Sequence, residues 1–246
     1  MISDDDRLAA DLAAEAGRRL LALRAAGGAA DELRRAGDRS SHEFLAAELA
    51  RQRPGDAVLS EEGADDLARL SADRVWIVDP LDGTREFGEP GRSDWAVHVA
   101  LWERGELTAG AVALPAQDKV LSTADPAKPP ASPPGTLRLL VSRTRPPEFM
   151  TRLARKLDAE LVPLGSAGAK AAAVICGDAE AYVHSGGQYE WDSAAPVAVA
   201  VASGLHASRI DGSKLSYNQA KPSLPDILIC QAALADPLLE AISSVR

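Results

Sequence analysis

The chain is poor in cysteine, has no excess of basic residues and carries no long apolar run. Cys176 and Cys230 are its only cysteines among 246 residues. They lie far apart and without C-x-x-C spacing, which excludes a disulfide framework and a cysteine zinc site. Acids outnumber bases, 36 Asp+Glu against 27 Lys+Arg, for a formal charge of −9. That balance argues against a general nucleic-acid binder, which shows a basic face. It does not exclude a small anion bound in a locally positive pocket. No window approaches 18 uncharged apolar residues, so no membrane span is predicted. The opening MISDDDRLAADLAAEAGRR is acidic and lacks an apolar core, unlike a secretory signal. A cytoplasmic protein is therefore expected. No internal repeat, heptad pattern or low-complexity tail is visible.

What is present is ordinary for a globular protein: 46% apolar and 26% charged residues. The length fits one large domain or two small ones. A chain of this size buries enough surface to fold without disulfides or metal. Leu8, Leu12, Ala16, Leu20 and Leu23 recur at helical spacing and predict a helix over 6–24. Ser40-Ser41-His42-Glu43 has capping-box spacing and predicts a second helix over FLAAELARQ. Short strands follow at 57–59 and 75–78, then paired strands at 95–102 and 107–114 around Glu103-Arg104-Gly105-Glu106. Residues 119–122 continue that sheet. The stretch 123–136 holds five of the 16 prolines and cannot form a central strand or helix. It marks a domain boundary near 136 or a long hairpin tip. Beyond it strands (137–141, 161–164, 181–184, 205–208, 226–230) alternate with helices (147–157, 169–176, 193–202, 236–244), an α/β pattern. The expectation is an α+β domain over 1–136 and an α/β domain over 137–246. The first would carry the larger, antiparallel-rich sheet and the second a smaller mixed one.

The informative segment is Val75-Trp76-Ile77-Val78-Asp79-Pro80-Leu81-Asp82-Gly83-Thr84-Arg85-Glu86-Phe87. An apolar strand ends at Asp79, Pro80 forces a turn, and Asp82-Gly83-Thr84 leads into a helix. Two carboxylates thus stand at the carboxyl end of a strand, where α/β sheets place ligands. Gly83 allows close backbone approach, and a helix start presents free N–H groups to an anion. Carboxylates for a hard cation beside donors for a phosphate fit a metal-dependent phosphatase. Three further segments carry acids with ordinary structural explanations of their own. Glu61-Glu62 after a strand are exposed charges by default. Asp192 in Gln188-Tyr189-Glu190-Trp191-Asp192-Ser193 and Asp38 before Arg39-Ser40 each read as helix caps.

Together these segments resemble the lithium-sensitive inositol monophosphatase superfamily of Mg²⁺-dependent phosphomonoesterases, over nearly the whole chain. Asp79-Pro80-Leu81-Asp82-Gly83-Thr84 is similar to the motif D-P-[IL]-D-G-T, and Trp191-Asp192-Ser193-Ala194-Ala195 to W-D-x-A-A. Leu59-Ser60-Glu61-Glu62 and Asp79–Phe87 look most like the CysQ branch, 3′(2′),5′-bisphosphate nucleotidases, its actinobacterial members above all. The resemblance implies the layered αβαβα fold of the sugar phosphatases. It implies hydrolysis of the 3′-phosphate of 3′-phosphoadenosine 5′-phosphate, and of its phosphosulfate, in sulfur assimilation. It also implies two or three Mg²⁺ ions and inhibition by Li⁺. One ion would be held by Glu61, Asp79 and the carbonyl of Leu81, a second by Asp79, Asp82 and Asp192, and a third near Glu61 through waters. Asp38 and Thr84 would be the catalytic pair that orients the attacking water. One departure is Arg35-Ala36-Gly37-Asp38, where the family has Thr-x-Ala-Asp. Homodimers occur in the family.

Substrate contacts are expected from Gly83, Thr84, Ser166, Lys170, Arg143, Arg145 and His184. Gly165-Ser166-Ala167-Gly168-Ala169-Lys170 resembles the nucleotide-contacting stretch of the bisphosphate nucleotidases, and Lys170 is the first candidate for the second phosphate. His42 and His98 read as structural. A haloacid-dehalogenase-type phosphatase is disfavoured, because its D-x-D-G-T motif is one residue shorter. Inositol-1-phosphate and fructose-1,6-bisphosphate remain alternative substrates within the superfamily. A non-catalytic binding protein on the same fold is the remote alternative. The expected partner is a small phosphate monoester, not a nucleic-acid polymer or a membrane.

Overall fold

The computed structural model describes residues 2–129 and 135–246. The boundary or hairpin tip expected at 123–136 falls in part on residues 130–134, which lie outside the described residues. Helix α1 (Asp4–Ala26) opens with a reciprocal cap. The Ser3 hydroxyl accepts from the Asp6 amide, and the Asp6 carboxylate accepts from the Ser3 amide. Helix α2 (Ala30–Gln52) begins well before the start expected at Ser40. Ser40–Glu43 is therefore not a capping box, and Asp38 lies within the helix rather than before it. The buried stripe of α2 is Gly37, Ser41, Leu45 and Leu49. Its first two members are not apolar, so hydrophobic periodicity is silent there. Gly37 permits a close approach: a Cβ there would lie 2.8 Å from Phe87 and 2.9 Å from Leu81.

The first sheet runs in chain order through β1 (Ala57–Ser60), β2 (Arg74–Asp82), β3 (Ala96–Glu103), β4 (Glu106–Leu114) and β5 (Lys119–Ser122). β1 and β2 are parallel and the other pairs antiparallel. Arg104 and Gly105 join β3 to β4 with φ of 48° and 99°, the left-handed turn whose twist suits a hairpin. The second sheet comprises β6 (Arg138–Ser142), β7 (Glu160–Leu164), β8 (Ala181–Tyr189), β9 (His206–Ser208) and β10 (Ser223–Cys230), in the order β7-β6-β8-β10-β9. It is mixed, as expected. It has five strands like the first, so it is not the smaller sheet in strand number. The remaining helices are α3 (Thr84–Gly88), α4 (Met150–Leu157), α5 (Ala167–Cys176), α6 (Glu190–Ala202) and α7 (Ala235–Val245).

Strand alternation sorts these elements into five layers. Trp76, Val78, Val97 and Val99 face Leu8, Leu12, Leu45 and Leu49 of α1 and α2. Val75, Ile77, Ala100 and Val112 face the opposite way, onto a core shared with α5, α6 and the second sheet. The far face of that sheet packs Leu139, Val141, Val183 and Leu228 against Met150, Leu153, Leu238 and Ile242 of α4 and α7. The result is the αβαβα layering. Helix α6 lies between two sheets, so an unbroken run from Ser193 to Ala200 is buried, as a helix covered on all sides requires.

Candidate active site

Asp79 and Asp82 are three residues apart, and a regular strand would point them to opposite faces. The pairing of β2 with β3 is irregular at this point. Asp79 lies opposite His98 and Asp82 opposite Ala96, three steps on one strand against two on the other. The extra residue is a bulge that returns both carboxylates to one face. Leu81 packs toward α1 and α2. The strand therefore runs on to Asp82 rather than ending in a turn at Pro80. Pro80 has no N–H to give and is tolerated where the ladder is irregular.

Asp192 arrives from the second half of the chain as the third residue of α6. Its Oδ2 accepts the Tyr189 amide at 2.6 Å, so it caps the helix from inside the first turn and is not the N-cap itself. Carboxylate oxygens of Asp79, Asp82 and Asp192 all lie within 4.8 Å of one another. Each aspartate has one oxygen held by a neighbour. Asp79 Oδ1 accepts the Leu81 amide at 3.1 Å. Asp82 Oδ2 accepts the Gly168 amide at 2.6 Å and stands 3.2 Å from His98 Nε2.

The three aspartates line a cleft of about 240 Å³, together with Glu61, Leu81, Gly83, Thr84, Arg143, Arg145, Ser166, Lys170 and His184. Asp38 is outside that lining and reaches it through Thr84, whose Oγ1 is 3.2 Å from Asp38 Oδ1 and 3.1 Å from the Leu81 carbonyl. Gly83 needs its φ of +86°, and a Cβ there would lie 2.9 Å from Ser166. Only glycine turns the chain so close to the α5 entrance. Helix α3 is a single turn of five residues.

The acids crowd one another. Burial raises the Asp79 carboxyl well above the usual range, and the charges of Glu61, Asp82 and Asp192 push it the same way. Burial and Asp82 lift Asp192 to about 6. Glu61 has accessible surface but is enclosed by the cleft walls; desolvation, Asp192 and Asp82 carry it to about 7. Asp82 goes the other way. Burial works against its charge, but His98, the Gly168 amide and Lys170 hold it below the usual value. His98 is held above its ordinary value because Asp82 outweighs the effect of burial. Three converging carboxylates whose nearest charged neighbours are largely other acids, all of them hard oxygen donors, fit a small divalent cation.

The basic side of the cleft is less uniform than expected. Arg143 is bound to Glu86 at 2.7 Å and Glu89 at 3.0 Å. Lys170 is 3% exposed and donates to the carbonyls of Gly165 and Ser166; burial lowers it to about 8 against the pull of Asp82 and Glu86. The Ser166 hydroxyl caps α5 by accepting the Ala169 amide at 2.8 Å. His184 Nε2 donates to the Gly186 carbonyl at 2.7 Å, leaving Nδ1 buried without a partner among the described residues. Arg145 is exposed, and its guanidinium has no carboxylate partner among the described residues. Sequence reasoning missed Glu86 and Glu89, which occupy Arg143. It also missed Asp94, whose Oδ2 accepts the Gly165 amide at 2.7 Å and steadies the α5 entrance. Glu86 sits within the Asp79–Phe87 run and was visible; nothing in the sequence marks Asp94.

A sequence model described as "Inositol monophosphatase family" matches residues 7–244. The chain is 56% identical over 239 residues to the 3′-phosphoadenosine 5′-phosphate phosphatase of Mycobacterium bovis, covering 93% of this chain and 90% of that protein. It is 31% identical over 195 residues to the 3′(2′),5′-bisphosphate nucleotidase CysQ of Escherichia coli, covering 74% and 78%. Its structure is similar to that of CysQ from Bacteroides thetaiotaomicron, with a TM-score of 0.79 at 26% identity, covering 91% and 96%. An IMPase of Thermotoga maritima shares the fold, with a TM-score of 0.77 at 20% identity over 99% and 98%.

Proposed function

The chain belongs to the inositol monophosphatase family, and from that premise we propose that it is a Mg²⁺-dependent phosphomonoesterase acting on 3′-phosphoadenosine 5′-phosphate. The 3′ P–O bond breaks, a water oxygen bonds to phosphorus, and the 3′ oxygen takes a proton, giving AMP and inorganic phosphate. The phosphosulfate analogue would give adenosine 5′-phosphosulfate by the same step, in the sulfur assimilation of the cytoplasm. The observation that carries this reading is the identity of 52–56% to mycobacterial proteins named for that phosphatase activity, over more than nine-tenths of the chain. Among the described residues no helix is long and apolar enough to cross a membrane.

Glu61, Asp79 and the Leu81 carbonyl would hold one cation, and Asp79, Asp82 and Asp192 another; a third would lie near Glu61. When bound, the ions neutralise the acidic cluster and stabilise charge on the attacking and leaving oxygens. The protein's own part is positional. Ionised Asp38 takes the Thr84 hydroxyl hydrogen, which leaves the Oγ1 lone pairs free to accept from the attacking water. Arg145 is the side chain best placed for the second phosphate, by a charge-assisted bond. Li⁺ inhibition is expected from the family.

The test compares kcat/KM with Mg²⁺ for 3′-phosphoadenosine 5′-phosphate, its phosphosulfate, inositol-1-phosphate and fructose-1,6-bisphosphate. The adenosine bisphosphate is expected to lead. A lead of about tenfold for inositol phosphate, ~1.4 kcal/mol of transition-state stabilisation, overturns the assignment.

A further inference from the structure

We propose that His98 is a positioning residue for the cation site. Its buried ring is bonded to the first turn of α6 and packed against the Asp82 carboxylate, and so keeps Asp82 and Asp192 in register. The proposal rests on the reading that these aspartates hold a divalent cation.

His98 is fully buried on β3, opposite Asp79 and next to α6. Nδ1 is 3.0 Å from the Trp191 carbonyl oxygen, and a carbonyl only accepts, so the Nδ1 hydrogen goes there. Among the described residues Nε2 has no aligned hydrogen bond; the polar atom it meets, at 3.2 Å, is Asp82 Oδ2. One side chain thus touches an acid of β2 and the residue that precedes Asp192. Those two acids come from opposite halves of the chain, and among the described residues no strand pairing joins them.

The fit around the ring is tight. The Gly168 amide donates to the same Oδ2 at 2.6 Å, while Oδ1 has no protein donor among the described residues. Gly168 leaves room for the ring, since a Cβ there would lie 2.2 Å from His98 Nε2 and 2.9 Å from Ala96. The Gly168 amide therefore holds one oxygen of Asp82, with the His98 ring packed against that same oxygen, and the other is left for a ligand. Groups that orient a metal's ligands are typically worth about 10–100-fold in its affinity. A histidine present only to fill space needs neither contact.

The experiment titrates the metal-stripped full-length protein with Mg²⁺ by calorimetry. His98→Asn keeps a donor near the position of Nδ1 but loses reach to Asp82. His98→Gln extends toward Asp82 but gives up the Trp191 carbonyl. Each folded variant is expected to bind Mg²⁺ about 10–100-fold more weakly. Its deficit in phosphate release should shrink as Mg²⁺ is raised. Unchanged affinity in either folded variant, or a deficit independent of Mg²⁺, overturns the proposal. Should neither variant fold, histidine-selective ¹⁵N NMR of the unaltered protein decides. His98 ring signals that move in step with Mg²⁺ occupancy support the role, and signals unmoved at saturation overturn it. Asp82→Asn separates the two layers. If the unaltered protein binds no Mg²⁺, or if Asp82→Asn binds it equally well, the cation reading itself fails and His98 falls with it.

Discussion

The Thr84 hydroxyl oxygen stands 3.2 Å from Oδ1 of Asp38, although α2 and α3 carry them to the site from 46 residues apart. The same oxygen is 3.1 Å from the Leu81 carbonyl, and one hydroxyl hydrogen serves only one acceptor. An ionised Asp38 wins it, because a charged acceptor makes the stronger bond. Burial and the charge of Glu62 lift Asp38 to about 6, against the pull of the Thr84 hydrogen bond. The ionised fraction therefore grows as pH rises through that value. kcat/KM is expected to climb through about pH 6 and then level. Asp38→Asn should lower kcat by about 10²–10⁴ and remove that acid limb, while calorimetric Mg²⁺ affinity holds. A rate that falls between pH 5 and 7 would contradict the assignment of Asp38 as acceptor.

Asp79→Asn should abolish activity yet stabilise the metal-free protein. Asparagine keeps an oxygen for the Leu81 amide and removes a charge that burial, Glu61, Asp82 and Asp192 all oppose. Sites that trade stability for function gain it back when the functional charge is removed. The melting temperature in EDTA should rise, by ~2–4 °C for each kcal/mol gained. With Mg²⁺ the order should reverse, because only the unaltered site gains binding energy. A lower melting temperature in EDTA would count against electrostatic crowding at Asp79.

The same crowding sets a pH dependence. Unfolded carboxyls titrate near ~4, whereas Asp192 and Glu61 in the fold titrate near about 6 and about 7. Between those values the folded chain holds more protons than the unfolded one, so stability falls as pH rises. Calorimetric scans in EDTA should show a melting temperature higher at pH 5 than at pH 7.5. Mg²⁺ should raise it more at pH 7.5, where the carboxylates are ionised. An EDTA profile that is flat or rising over this range would refute the shifts.

What the sequence revealed about this site was chemical, and what it hid was geometric. The run from Asp79 to Thr84 and the Trp191-Asp192 pair announce themselves by residue type. The bulge that brings Asp79 and Asp82 to one face does not, because register depends on the partner strand. The early part of α2 was invisible because Gly37 and Ser41 occupy buried positions where periodicity looks for apolar side chains. His98 read as an interior residue of an alternating strand, which is true as far as burial goes. Its contact with the Trp191 carbonyl spans 93 residues, and no local pattern encodes that. Arg143 and Arg145 look alike in Ser142-Arg143-Thr144-Arg145, and only packing separates them.

That separation gives the sharpest test of substrate recognition. Arg143 is committed to Glu86 and Glu89, and Lys170 to two backbone carbonyls. Arg145 lines the cleft without a carboxylate partner among the described residues. A charge-assisted bond to phosphate is worth ~1.5–3 kcal/mol. Arg145→Gln is therefore expected to raise KM for 3′-phosphoadenosine 5′-phosphate about 10–100-fold, with adenosine 3′-monophosphate little affected. Arg143→Gln and Lys170→Met disturb the cleft wall and the α5 entrance, which both substrates share, so they should weaken the two alike. Steady-state kinetics on the two substrates checks this. Equal effects of Arg145→Gln on both would remove Arg145 from the second-phosphate position, and a selective loss in Lys170→Met would put Lys170 there instead.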